Sequence, residues 1–346
     1  MASHRAVDVV LDVVVFSAGA IIVVATLLSA IRTVVLPHGR TAKLTRVLFS
    51  GVRRVLVAHR RIPGLGQRRH EVMSLYAPLT LVCLPLVWIL GAFIGSTAMF
   101  WGLGTRPFRN AFKTAGSSML TLGFSNVDDY PRMILAFGIA ALTISVLALL
   151  LVTYLPTMYQ AYSSRETILT ALETYAGEPP DPVELLVRHR RIGADDHLRE
   201  VWREWRDWFF ESRETHTALP PVVLFRSSSA EREWVQAVEA LLDAAALWNA
   251  VCIDVEDPDA SLCLRAGSMT LNDIAAAFGL ESITRAAPDD PISTTRDHFD
   301  TMYDRLAEDG LVVIGDRDAA WRAWAGWRVN YDVAIIGLTR LTSITD

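Results

Sequence analysis

The stretch from Arg109 to Pro131, RNAFKTAGSSMLTLGFSNVDDYP, lies between two long uncharged segments and decides how the chain is interpreted. Each helix that crosses a bilayer needs about 20 residues, so this stretch is too short to cross and return as two spans. Its first part, Arg109 to Met119, has the length of a short helix, and the residues Thr121 to Ser125 (TLGFS) follow it. We therefore predict a short helix and a loop that enter the membrane together from one side.

Three segments are long and apolar enough to span a bilayer, and they account for a mean hydropathy of +0.29. They are Val13–Ile31, Val72–Thr105 and Met133–Ser164, and none contains a charged residue. Acidic residues precede the first segment and arginine follows it, the reverse of an export signal. The sequence therefore predicts three retained spans, two of which flank the short helix and its loop.

The charges divide the chain into a basic front half and an acidic back half. Residues 1–165 have 16 Lys and Arg against 5 Asp and Glu, whereas residues 166–346 have 17 against 33. Nine of the basic residues lie between residues 37 and 74, and loops rich in Lys and Arg stay cytoplasmic. This predicts a plasma-membrane protein with its N-terminus and the Arg106–Pro131 connector outside and everything after Tyr159 inside. The predicted parts are an extra N-terminal span (1–36), a basic connector (37–73), a membrane module (74–160) and an acidic cytoplasmic domain (161–346).

The basic connector has the pattern of an amphipathic helix. Apolar residues recur at three- and four-residue spacing from Leu44 to Leu56. The opposite face is basic and consists of Lys43, Arg46, Arg53 and Arg54. Such a helix beside a span is expected to bind anionic lipid headgroups, and a packed connector helix with snorkelling arginines remains the alternative.

The order of span, short helix, TLGFS and span resembles the pore-loop potassium-channel family, in which the filter reads TVGYG. The resemblance covers Ser74 to Tyr159, and within the family this segment is similar to bacterial two-span channels. It implies a pore helix that includes Ser117 and Ser118, with the negative end of its dipole aimed at the cavity. It also implies one filter per chain and therefore a homotetramer with a fourfold pore. The filter residues would be Thr121, Leu122, Gly123, Phe124 and Ser125, and the outer mouth would carry Asn126, Asp128 and Asp129.

The resemblance assigns each filter residue a task. The Thr121 hydroxyl and the carbonyls of residues 121–125 would replace the water shell of a cation, while Leu122 and Phe124 would wedge outward against the pore helices. Ser125 stands where the family has its second glycine, and serine adopts a positive φ only at a cost. We therefore expect a distorted outermost ion site and a reduced preference for potassium over sodium.

The last span would be the inner, pore-lining helix. Its polar positions are Thr143, Ser145 and Thr153, and Pro156 is expected to kink its cytoplasmic end. Gly138 lies close to the filter, so the usual mid-helix glycine hinge of the family is missing. No span repeats arginines, which argues against voltage sensing.

The acidic back half has mainly helical patterns and is expected to be an all-α regulatory domain. The predicted helices are 165–175, 195–210, 231–252, 268–278, 294–308 and 316–342, with short strand candidates at 222–225 and 311–314. Glu211, His216 and Arg226 are a candidate polar site, with a structural network as the alternative. Dinucleotide, phosphate-loop, kinase, zinc-protease and EF-hand motifs are not found, and Cys83, Cys252 and Cys263 form no CxxC pair.

Taken together, the sequence predicts an all-α membrane protein: three transmembrane helices, a re-entrant pore helix with its filter loop, and an α-helical cytoplasmic domain. The expected function is a homotetrameric cation channel, permeable to K+ and also Na+, with no enzyme activity, cofactor, further metal site or nucleic-acid partner. A regulatory ligand of unknown identity is expected at the cytoplasmic domain. The alternative is a membrane-anchored sensor or interaction protein whose pore loop is vestigial and does not conduct.

Overall fold

A computed structural model describes residues 2–34, 76–127, 129–193, 195–225, 227, 233–252, 257–283, 285–288 and 290–342. Within these ranges the chain is all-helical and contains no strand. The first helices are α1 (Ala2–Val34), α2 (Tyr76–Gly102), α3 (Phe108–Met119), α4 (Tyr130–Ala148) and, after a π-helical segment (Leu149–Tyr154), α5 (Leu155–Ala176). The predicted amphipathic helix of the connector lies outside the described residues. The chain divides into two compact units, and the boundary falls between Met158 and Tyr159.

Among the residues that the structure describes, three helical stretches are long and apolar enough to cross a membrane: Val7–Arg32, Pro85–Gly102 and Trp234–Cys252. The first two coincide with predicted spans. The third was not predicted as a span, and 78% of its most apolar window is buried within the protein. The predicted last span begins in a shorter apolar helix, Tyr130–Val146, and helical structure then continues through the π-helical segment into α5.

In the first unit, α1 packs on α2 through glycines. A Cβ atom added at Gly19 would lie 2.5 Å from the carbonyl oxygen of Gly95, and one added at Gly95 would lie 2.7 Å from that of Gly19. The two backbones therefore touch, which is the usual way for membrane helices to associate, since lipid provides no hydrophobic driving force between them. Many side chains elsewhere on α1 are exposed and apolar, as a lipid-facing surface requires.

The helix α3 is held between α2 and α4 by one apolar face. Ala111, Ala115 and Met119 recur every four residues, and all three are buried. They form one cluster with Phe100 of α2 and Ile139 of α4. Because α3 is only 12 residues long, its position depends on this packing rather than on helix propensity.

The second unit is a helical domain with its own core. Its further helices are α6 (Pro182–Arg191), α7 (Asp195–Ala218), α8 (Pro220–Leu224), α9 (Trp234–Leu247), α10 (Pro258–Ala277), α11 (Arg296–Glu308), α12 (Arg317–Arg328) and α13 (Asp332–Thr342), and a π-helical segment (Trp248–Cys252) extends α9. Trp202, Trp205, Trp208 and Phe209 line one face of α7 and are all buried in this core.

Two strand candidates were wrong. Residues 222–225 lie in and just after α8, where Pro220 and Pro221 occupy the first helical positions that proline tolerates. Residues 311–314 form a loop. One backbone hydrogen bond joins this loop to the π-helical segment after α9, from the Ile314 N–H to the Val251 carbonyl (2.9 Å), and one such bond does not make a pair of β-strands. The predicted helix 316–342 is also interrupted at residues 329–331, so α12 and α13 are separate.

A buried ion cluster joins α12 to α9 and α13. The Arg328 guanidinium, 2% exposed, donates to Asp243 (2.7 Å), Asp332 (2.8 Å) and Glu239 (2.6 Å). The Tyr331 hydroxyl also donates to Asp243 at 2.8 Å. Burial raises the pKa of Glu239, and Arg328 opposes this effect. Every carboxylate of the cluster therefore has a donor, as buried charges require.

Candidate functional site

The site predicted from the sequence is the loop that joins α3 to α4. Before it, Arg106 lies 3.7 Å from the centre of the Trp101 ring, donates to the Trp101 carbonyl and pairs with Asp12 of α1. The Asn110 amide of the first turn of α3 donates back to the Arg106 carbonyl at 2.9 Å. The start of α3 is therefore tied to both α1 and α2.

After Met119 the chain leaves the helix and runs back along it. The carbonyls of Gly116, Ser118 and Ser117 accept in turn from the N–H groups of Leu120 (3.0 Å), Thr121 (3.2 Å) and Leu122 (2.9 Å). The terminal carbonyls of α3, which a helix leaves unpaired, are thus used to start the loop. The predicted short helix, Arg109–Met119, differs from α3 by one residue.

Two buried side chains of α3 hold the next part of the loop. The Ser117 hydroxyl, in a residue 4% exposed, accepts from the N–H groups of Phe124 (3.1 Å) and Ser125 (3.2 Å). The Thr114 and Ser125 hydroxyls lie 2.8 Å apart and share a hydrogen bond. Residues 122–125 are therefore fixed to α3 of the same chain by backbone and side-chain bonds.

These bonds determine where the loop carbonyls point. In a planar trans peptide the C=O lies opposite to the N–H of the next residue. The N–H groups of Leu122, Phe124 and Ser125 face α3, so the carbonyls of Thr121, Gly123 and Phe124 point away from it. Residues 121–124 are exposed. At least three backbone oxygens of the loop are therefore directed away from α3.

The backbone is left-handed at two loop positions. Gly123 has φ +68°, with no atom within 4 Å of an added Cβ, and Thr121 has φ +53°. Thr121 is the non-glycine residue with positive φ in the part of the chain that the structure describes, and a β-branched residue there is strained. The expected distortion of the outermost ion site stays a prediction, and Ser125 lies outside the left-handed region and so is free of this strain. Thr121 bears it, and its hydroxyl donates to the Leu120 carbonyl at 2.8 Å.

The two large side chains of the loop point outward within a single chain. Leu122 is 57% exposed and Phe124 is 51% exposed. The Lys113 ammonium of α3 lies 5.5 Å from the centre of the Phe124 ring. The predicted wedging of Leu122 and Phe124 against pore helices is thus not made within one chain.

Of the candidate outer mouth, the structure describes Asn126 and Asp129. Asn126 is exposed, and Asp128 lies outside the described residues. Asp129 forms an ion pair with Arg132 at 3.4 Å, and Arg132 also donates to the Leu103 carbonyl (3.0 Å) at the end of α2. Arg132 therefore ties the start of α4 to the end of α2 and offsets the charge of Asp129.

The side chains of two of the three polar positions of the predicted inner helix, Thr143 and Ser145, are bonded within the helix. The Thr143 and Ser145 hydroxyls donate to the carbonyls four residues earlier at 2.9 and 2.8 Å, and the Thr153 carbonyl accepts from Thr157 at 2.6 Å. The irregularity expected at Pro156 takes the form of the π-helical segment Leu149–Tyr154 just before it. Proline has no N–H for the carbonyl four residues back, and a wider turn accommodates that loss.

Of the candidate trio in the second unit, the structure describes Glu211 and His216, and these two have different neighbours. Glu211 accepts from the Ser164 hydroxyl at 3.2 Å, whereas His216 is buried beside the Trp208 and Trp234 rings. Burial, and then the charge of Arg165, lower the pKa of His216 to about 3. Arg226 lies outside the described residues. His216 is therefore a neutral histidine in the core of the second unit.

Sequence reasoning missed four contributors to the site: Asp12, Arg106, Thr114 and Arg132. Thr114 had a usable signal, since it lies three residues before Ser117 on the same helical face. The other three act across helices that are far apart in sequence. Across the described ranges, no group of three His, Cys, Asp or Glu side chains could hold a metal ion.

Comparisons with protein-family models, with curated proteins and with solved structures found no match to this chain.

Proposed function

We propose that the chain is the subunit of a homotetrameric, potassium-channel-like channel of the bacterial plasma membrane that conducts monovalent cations. The observation that carries the proposal is the direction of the loop carbonyls. The oxygens of Thr121, Gly123 and Phe124 turn away from α3 in a stretch of exposed residues, and a cation that loses its water shell needs such oxygens.

The membrane context supports this use of the loop. Non-helical backbone at membrane depth is tolerated only where it lines a cavity or is buried in protein. The loop follows a helix that packs between two apolar helices, α2 and α4. With both ends of Arg106–Pro131 outside, the loop would enter from the outer face, and the C-terminal unit would be a cytoplasmic regulatory domain.

The exposed loop side chains favour assembly. One chain supplies one loop, so four chains are needed to surround an ion. In a ring, Leu122 and Phe124 would pack against the α3 helices of neighbouring copies, where the half-exposed Phe108 and Phe112 offer apolar contact. This would bury apolar area that a single chain leaves open.

Ion flux tests the proposal against the alternative, a membrane anchor with a vestigial loop. The purified chain is reconstituted into liposomes, and thallium entry is followed by a fluorescent indicator. We expect flux from the wild type and none from Thr121→Cys, which removes the hydroxyl that the resemblance places innermost in the filter. Thr339→Cys, in α13 of the second unit, should conduct. If the wild type is as tight as empty liposomes, the non-conducting alternative is correct.

A further inference from the structure

The outer half of the loop is held by side chains that the sequence comparison with TVGYG does not anticipate. Ser117 makes three bonds to it: its carbonyl accepts from Leu122 (2.9 Å), and its hydroxyl accepts from Phe124 (3.1 Å) and Ser125 (3.2 Å). Thr114, one helical turn earlier, bonds the Ser125 side chain at 2.8 Å. Both α3 side chains are about 5% exposed or less.

We propose that Ser117 and Thr114 are positioning residues that brace the outer half of the filter, with Ser125 as their partner. This proposal rests on the proposed function, since it concerns the same loop. If the N–H groups of Phe124 and Ser125 were not held by Ser117, the peptides could rotate, and the carbonyls of Gly123 and Phe124 would no longer be fixed away from α3. The brace thus sets the direction of two ion-facing oxygens.

The brace also explains the serine at position 125. A glycine there would lack the hydroxyl that Thr114 bonds, and it would give the chain more conformational freedom. The departure from TVGYG is then a different way to hold the filter: a side-chain bond to the pore helix replaces a glycine. Ser125→Gly should therefore weaken conduction rather than improve it.

Two matched pairs of variants test the brace. Ser117→Ala removes the hydroxyl acceptor, whereas Ser118→Ala removes a hydroxyl that bonds only within α3, to the Thr114 carbonyl at 2.8 Å. Thr114→Val keeps the shape but loses the hydroxyl, whereas Thr114→Ser keeps it. Potassium and sodium fluxes are measured separately in liposomes. Loss of folded tetramers lowers both fluxes equally, but a distorted filter changes their ratio.

We expect Ser117→Ala and Thr114→Val to change the potassium-to-sodium flux ratio at least threefold, and both controls to match the wild type. If Ser117→Ala and Ser118→Ala give the same ratio as the wild type, or if Ser125→Gly conducts as well as the wild type, the brace is refuted while the channel assignment stands.

A second measurement does not need conduction. Amide hydrogen exchange at Phe124 and Ser125 is followed in detergent for the wild type, Ser117→Ala and Ser118→Ala. The brace requires exchange at least tenfold faster in Ser117→Ala alone, and unchanged exchange refutes it. If the wild type does not conduct, the proposed function fails, and this exchange result still decides whether Ser117 holds the loop.

Discussion

Gly123 is the position where a small change in the loop should have the largest effect. Its φ of +68° is left-handed, and there is open space around an added Cβ. Gly123→Ala would therefore act through backbone conformation and not through a clash. The left-handed region costs an L-residue about 1–2 kcal/mol.

The effect multiplies in the proposed ring. Four alanines would disfavour the observed loop by about 4–8 kcal/mol in total, if the four loops must adopt it together. Since about 1.4 kcal/mol is a tenfold change in an equilibrium constant, the population of the conducting form should fall by at least a hundredfold. Gly123→Ala should then abolish measurable flux while a tetramer still forms.

Thallium flux into liposomes measures this, with size-exclusion chromatography as the check on assembly. Gly177→Ala is the matched control, because Gly177 has φ +81° in the second unit, outside the loop, and the backbone cost of alanine there is the same. We expect Gly177→Ala to lower stability by about 1–2 kcal/mol and to leave flux per tetramer unchanged. If Gly123→Ala conducts like the wild type, the loop conformation is irrelevant to flux and the reasoning is refuted.

Three further predictions concern stability. Arg328→Met should destabilise the second unit by about 3–5 kcal/mol, because it leaves buried carboxylates unpaired. Arg317→Met, which breaks an exposed pair with Asp304, should lower the free energy of unfolding by about 0–1 kcal/mol. Urea unfolding followed by tryptophan fluorescence measures both variants. The pKa of His216 is lowered to about 3, so the unfolded state binds one more proton than the folded state between pH 6.5 and 3. The free energy of unfolding should therefore fall by about 1.4 kcal/mol per pH unit as the pH is lowered through this range. A His216→Gln variant whose pH profile keeps that slope would contradict this assignment. Gly95→Ala should lower the melting temperature in detergent, since the added methyl group meets the Gly19 carbonyl oxygen at 2.7 Å. Gly138→Ala should leave the melting temperature unchanged, because no atom lies within 4 Å of its added Cβ. Equal melting temperatures of the two variants would refute backbone contact between α1 and α2.

Much of the fold could be predicted from the sequence where the signal is local. The helix α3 was placed to within one residue, because the TLGFS stretch that follows it marks its end. The first two apolar helices were found from composition alone, since the requirement for about 20 apolar residues is strict. Trp234–Cys252 shows the limit of composition, because it is as apolar as a span and yet largely buried within the protein.

What could not be predicted depends on contacts between residues distant in sequence. The tie from Arg106 to Asp12 joins residues 94 positions apart, and no spacing rule connects them. Comparison with the TVGYG pattern singled out Ser125, but it indicated neither the bonds of Ser125 to Thr114 and Ser117 nor the left-handed conformation of Thr121. The strand candidates failed because apolar β-branched runs are ambiguous when they are short.

The central claim is that four copies of residues 121–124 surround a row of dehydrated cations. The most direct test is an experimental structure of the reconstituted protein, determined in potassium and again in thallium. The account predicts a tetramer with density on its fourfold axis beside the carbonyls of Thr121, Gly123 and Phe124, with thallium replacing potassium at the same positions. A monomer or dimer, or a tetramer whose axis beside these residues is closed by side chains and holds no ion, would contradict it.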